Sequence, residues 1–187
     1  MSPLELAAAG FGAVAVWLTT RQNVWCWPTG LVNVALYILV FGEAKLYADM
    51  GLQVVYVALC LYGWYHWLHG GPDHGVLAVS RTRHPLWLAA AGAAFAGILG
   101  AFLQRYTDAS LPFWDASTTS YSLVAQWMQT KKWLENWHLW IAVDIVYIGM
   151  YVYKRLYLTA GLYAVFLALA VLGLRKWTKA LPARAPA

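Results

Sequence analysis

Apolar runs broken by short charged or turn-forming segments recur along the whole chain, and they predict helices over 4–20, 25–41, 49–68, 85–103, 114–130, 135–153 and 157–174. Each run approaches the roughly 20 residues needed to cross a bilayer core. The first is preceded by Glu5 and no basic residue, so it reads as a mature helix rather than a cleaved signal. Composition sharpens the picture: 61% of the 187 residues are apolar, 16% aromatic and 11% charged, too few charges to coat a water-soluble globule. Seven crossings use nearly the whole length and leave no room for an appended nucleotide-binding or catalytic domain. The expectation is one transmembrane domain over 1–180 and a disordered tail over 181–187, rich in Pro and Ala.

Charge sets the orientation. The N-terminus and the second, fourth and sixth loops carry Lys45, Arg105, Lys154 and Arg155. The other side carries nine basic residues: Arg21, Arg81, Arg83, Lys131, Lys132, Arg175, Lys176, Lys179 and Arg184. Cytoplasmic loops retain positive charge, so the N-terminus is expected outside and the tail in the cytoplasm of a bacterial inner membrane. The net charge of +5 is dispersed in this way and does not point to nucleic acid. Cys26 and Cys60 lie in apolar runs without metal or disulfide spacing and read as packing residues. His69, His74 and His84 in the longest loop read as solvated side chains. No metal or cofactor is implied.

The chain also matches itself at an offset of 110 residues without a gap. Trp17 pairs with Trp127, Thr20 with Thr130, Arg21 with Lys131, Trp27 with Trp137 and Tyr37 with Tyr147. Leu46-Tyr47 meets Leu156-Tyr157, Gly51-Leu52 meets Gly161-Leu162, Gly63 meets Gly173 and Trp67 meets Trp177. Repeat one spans about 4–68 and repeat two about 114–177, with helix four (85–103) as the linker that holds them together. Helices one and five cross in the same direction, so the repeat is parallel. Parallel repeats about an axis along the membrane normal are one way to build alternating access.

Candidate chemistry sits where the halves differ. Helix one is apolar over 7–16, whereas helix five reads Ser117-Thr-Thr-Ser-Tyr-Ser-Leu-Val-Ala-Gln126. At about 100° per residue, Asp115, Thr118, Thr119, Ser122, Gln126 and Gln129 share one stripe, suited to a sugar-like ligand. Small hydroxyl residues also bond back to their own helix and let helices approach closely. Asp144 is the only ionisable residue near mid-span, where an uncompensated carboxylate costs at least about 2.5 kcal/mol. Protonation, hydroxyl donors from helix five or a cationic substrate would relieve it. Trp137, Trp140, Tyr147 and Tyr151 share its face, and aromatic faces attract organic cations. Asn33 with Tyr37, and Gln53 with Tyr56, add buried polar groups. Trp133 and Trp177 read as interfacial residues, and Asp49 as a cap at the start of helix three.

Several motifs in order resemble the PnuC family of vitamin-precursor transporters. They are Trp27-Pro-Thr-Gly-Leu-Val-Asn33, Lys45-Leu-Tyr-Ala-Asp49, Leu52-Gln53, Tyr62-Gly-Trp-Tyr-His-Trp67, Pro112-Phe-Trp-Asp115, Lys132-Trp-Leu-Glu-Asn-Trp137 and Leu139-Trp140-Ile141. The resemblance covers about residues 20–175. It implies an all-α integral membrane protein of seven transmembrane helices, with a three-plus-one-plus-three arrangement like the SWEET proteins. It further implies uptake of nicotinamide riboside by facilitated diffusion, with trapping by cytoplasmic phosphorylation. By motif, Trp114, Asp115, Asn136, Trp137, Asn33 and Gln53 match positions that line or support the family's site. Asp144 departs from some relatives, which carry an amide there. Relatives also carry thiamine or riboflavin. The expected partners are therefore a small-molecule substrate and the lipid bilayer, with homo-oligomerisation left open. An intramembrane enzyme is disfavoured because His66 and His138 sit near span ends and no paired carboxylates share a mid-depth face. A purely structural subunit is the remaining rival.

Overall fold

The computed structural model describes residues 3–43, 47–107 and 111–181, with the side chains of 47–49 not described. Lys45, the tail beyond Leu181 and the side chain of Asp49 therefore lie outside the described residues. Seven long helices follow one another: α1 (Pro3–Thr20), α2 (Cys26–Glu43), α3 (Tyr47–His69), α4 (Pro85–Tyr106), α5 (Pro112–Thr130), α6 (Asn136–Tyr153) and α7 (Tyr157–Ala180). The count matches the apolar pattern. The largest boundary difference is α7, which runs to Ala180 because its last turns are anchored by Trp177, fully buried in the core. By length and composition alone, α1, α2, α4 and α7 qualify as membrane spans. Helices α3, α5 and α6 are as long, but they carry more Trp, Tyr and polar residues, among which Trp67, Thr118, Ser122, Gln126, Trp137 and Asp144 are buried.

The helices close on themselves: α1 packs on α2 and α7, α2 on α3, α3 on α5, α5 on α6, and α6 on α7. Six helices thus form a ring of two three-helix units, and the α1/α7 and α3/α5 seams join the units. Helix α4 lies outside, packed along α5, with Gly92 and Gly100 admitting the rings of Tyr121 and Phe113. The small residues of α4 are used against α5, and the two units also meet directly at the seams.

The 110-residue repeat reaches down to single hydrogen bonds. Helix α1 ends with Gln22 at φ 55° and α5 with Lys132 at φ 55°. In each case the N–H two residues past the helix's last turn returns to its carbonyl, Asn23 to Leu18 at 3.1 Å and Trp133 to Met128 at 3.0 Å. This is a Schellman-type stop, in which a left-handed residue satisfies carbonyls that the helix end leaves open. The Thr20 and Thr130 hydroxyls then donate to the Trp17 and Trp127 carbonyls at 2.8 and 2.7 Å.

The longest loop is ordered rather than loose. A short turn at Pro72–His74 leads into an extended stretch whose Ser80 exchanges backbone bonds with the α5–α6 loop, accepting from Leu134 at 2.8 Å and donating to Lys132 at 3.1 Å. Val79 is buried, the Thr82 N–H donates to Glu135, and Lys132 donates to the Leu77 carbonyl at 2.8 Å with its ammonium 4.6 Å from the Trp67 ring centre. Burial pushes the Lys132 ammonium below its usual pKa. His69, His74 and His84 stay exposed.

Candidate functional site

The ends of α1, α3, α5 and α7 and the starts of α2 and α6 meet at the end of the ring that carries most basic residues. Four tryptophans, Trp27, Trp67, Trp137 and Trp177, are all but fully buried there. Trp27 meets Trp67 edge-on at 5.3 Å and 88°, Trp137 meets Trp177 at 5.3 Å and 89°, and Trp67 touches Trp177 across the units at 5.9 Å. Trp27 packs where Gly63 lacks a side chain, and Trp137 does the same over Gly173. The two remaining indoles tie the seams: Trp67 donates to the Gln129 carbonyl and Trp177 to the Thr19 carbonyl, each at 3.0 Å. Each edge-on pair contributes about 0.5–1.5 kcal/mol beyond burial, and each indole bond about 1 kcal/mol. Trp177 is therefore a core residue and not an interfacial one. Trp137 likewise belongs to this plug and offers no free face to a ligand.

Beyond the plug, the ring interior turns polar and aromatic. Helix α5 supplies Thr118, Ser122 and Gln126, all buried, and α6 supplies Asp144, 4% exposed. The Gln126 amide faces Cys60 of α3 at 4.0 Å. The Tyr147 hydroxyl approaches Thr118 and Ser122, and Tyr56 of α3 approaches Ser122 from the other unit. Farther from the plug, Tyr163 of α7 packs against Tyr147 at 4.7 Å and Tyr151 at 5.2 Å, and the Tyr147 and Tyr151 rings stack at 5.8 Å. Tyr37 of α2 stacks on Phe41 at 5.6 Å and lies near Tyr151. Asp115 pairs with Lys154 at 3.9 Å at the far end. No hydrogen bond or ion pair is found for Asp144 among the described residues.

The structure thus brings together Tyr37, Thr118, Ser122, Gln126, Asp144 and Tyr147 in one interior, with Asp115 paired to Lys154 at its far end. It places other expected site residues elsewhere. The Asn33 amide donates to the Ala8 carbonyl at 2.7 Å and is spent joining α2 to α1. Asn136, fully buried beside the plug, donates to the Trp133 carbonyl at 2.5 Å. Trp114 is 56% exposed and borders a cavity of about 280 Å³ on the α5/α6 flank. Gln53 is half-buried one turn from Tyr56. Gln129 accepts from the Trp140 indole at 3.2 Å, and Thr118 also bonds back to the Trp114 and Asp115 carbonyls.

In this interior the α5 hydroxyls meet tyrosines, Tyr147 at Thr118 and Ser122 and Tyr56 at Ser122. Sequence reasoning missed Tyr163. Its signal was available, since it stands opposite Gln53 in the repeat, a polar position in both halves.

The family signature described as nicotinamide mononucleotide transporter matches residues 2–179. The nicotinamide riboside transporter PnuC of Escherichia coli is 26% identical, with 95% of this chain and 85% of that protein aligned. PnuC of Neisseria mucosa is 28% identical over 94% of this chain and 72% of its own. The riboflavin/roseoflavin transporter RibM of Streptomyces davaonensis is 27% identical over 89% and 80%. A crystal structure of the vitamin B3 transporter PnuC superposes with a TM-score of 0.73 at 27% identity, covering 94% of this chain and 80% of that one. With the signature spanning nearly all of its length, this chain belongs to the nicotinamide mononucleotide transporter family, and its fold is that of a multi-pass membrane transporter and not of an enzyme.

Proposed function

We propose that this protein imports nicotinamide riboside by facilitated diffusion across a bacterial inner membrane, with its N-terminus outside. The observation that carries the reading is Asp144: a carboxylate buried in the ring, with no cation or hydrogen-bond donor against it among the described residues, one turn from Tyr147 on α6. A pyridinium ring would supply the missing positive charge and lie against those aromatic faces, while a ribose would find the Thr118, Ser122 and Gln126 groups of α5. The names of the relatives support this substrate class.

Alternating access then has a physical form. Opening the ring at the plug end breaks the Trp67–Trp177 contact and both indole bonds across the seams, while the edge-on pair inside each unit moves as a body. Cytoplasmic phosphorylation would hold the product inside. The protein's own part is binding and rocking, and it involves no bond-making step.

The test is counterflow in proteoliposomes without a proton or sodium gradient. Exchange of labelled nicotinamide riboside is the expected result. Strict dependence on a gradient rejects facilitated diffusion, and exchange of thiamine or riboflavin alone rejects the substrate.

A further inference from the structure

Outside the ring, α4 and α5 leave a groove of about 270 Å³ between them. Its walls repeat at helical spacing, with Leu88, Ala91 and Phe95 on α4 facing Leu123, Val124 and Trp127 on α5. The one polar wall residue, Ser120, donates its hydroxyl to the Gly92 carbonyl at 2.7 Å, so the groove presents hydrocarbon. From Ser120 to Trp127 it runs about 10 Å along the helix axis.

Basic side chains gather at one end of this groove. Trp127 stacks on Tyr62 of α3 at 5.5 Å and 9°, and the Lys131 ammonium lies 4.8 Å from the centres of both rings. Lys131 also donates to the Tyr62 hydroxyl, which uses one of its three N–H groups. His66 stacks on the same tyrosine at 5.4 Å, and the exposed Arg83 and His84 immediately precede α4. The opposite seam provides an internal comparison. There Arg21 covers Trp17 at 4.0 Å, the same pairing 110 residues earlier, but no helix corresponding to α4 packs beside it. The basic cap is repeated; the groove is not.

We propose that the α4–α5 groove seats an acyl chain of one anionic phospholipid whose phosphate is held by Lys131 and Arg83. The apolar walls match hydrocarbon, and ammonium or guanidinium bound to a phosphate oxygen forms a charge-assisted hydrogen bond. Basic pockets between transmembrane helices suit such headgroups. A zwitterionic lipid offers the same chains, but it brings its own ammonium to Lys131 and Arg83. The site lies outside the ring, independent of the substrate carried, in the leaflet that the basic residues assign to the cytoplasm.

Native mass spectrometry of the full chain in detergent, titrated with phosphatidylglycerol or phosphatidylcholine of identical chains, tests it. One phosphatidylglycerol should be retained at about tenfold lower concentration than phosphatidylcholine, a difference of about 1.4 kcal/mol. Lys131→Gln combined with Arg83→Gln should erase that preference, and Arg21→Gln should preserve it. Ala91→Phe, which fills the groove, should weaken both lipids. Excess inorganic phosphate should fail to displace the bound lipid. Equal retention of the two lipids by the unaltered protein, survival of the preference in the Lys131/Arg83 variant, or displacement by phosphate would each overturn the proposal.

Discussion

Replacing Gly173 with alanine puts the tryptophan plug under direct strain. The added Cβ would stand 2.5 Å from Cη2 and Cζ2 of Trp137 and 2.6 Å from Cε2. Trp137 is 1% exposed and edge-on to Trp177, which is itself tied by its indole N–H to α1. The ring therefore has nowhere to retreat, and overpacking of this kind costs about 1–3 kcal/mol. Alanine also returns about 1 kcal/mol of helix propensity, and that part needs its own control. Gly97→Ala serves, because no atom lies within 4 Å of a Cβ at Gly97. The difference between the two variants isolates the clash, and at about 2–4 °C per kcal/mol for a chain of this size it is readable by thermal unfolding in detergent, followed by tryptophan fluorescence. Gly63→Ala should behave like Gly173→Ala, since it meets Trp27 in the equivalent position. Unfolding of Gly173→Ala at the temperature of Gly97→Ala would refute the plug as a rigid core.

Trp67→Phe and Trp177→Phe each remove one seam bond worth about 1 kcal/mol; thiol labelling of Cys60 should quicken by about fivefold in either variant, and unchanged labelling would count against the seams as the opening line. Asp144→Asn should weaken nicotinamide riboside by at least tenfold in calorimetric titration while leaving uncharged riboflavin untouched, since opposite unit charges at 4 Å are worth about 4 kcal/mol at an effective dielectric of 20. Equal losses for both ligands would make Asp144 structural. Burial holds the Lys132 ammonium below its ordinary pKa of 10.5, so across the interval ending at 10.5 the unfolded chain binds the extra proton. Stability should therefore rise with pH over that interval, and Lys132→Met should flatten the rise in pH-dependent denaturation curves.

The partition between local and tertiary information is clearest in the tryptophans. Trp177 falls among Lys176 and Lys179 at the end of an apolar run, which is the pattern of an interfacial residue. It is nonetheless fully buried, because its indole bonds to Thr19, 158 residues away in the chain. Trp137 shares a helical face with Asp144, so periodicity alone cannot separate it from the ligand site; Gly173 on another helix does. Asn33 looks like a site amide until α1 presents a carbonyl to it. Tyr163 joins the site only because α7 closes the ring beside α6.

Seven apolar helices, the parallel duplication, the basic end and the polar stripe of α5 all follow from residue order, because hydrophobic period, charge placement and repetition are local or translational properties of a chain. Which aromatics plug the ring, which amides are spent on neighbouring helices and which tyrosines meet in its interior depend on the α1/α7 and α3/α5 seams. Those seams join residues far apart in the chain, and their partners are chosen by the fit of a tryptophan against a glycine or an indole against a carbonyl, a complementarity that exists only once the ring has closed.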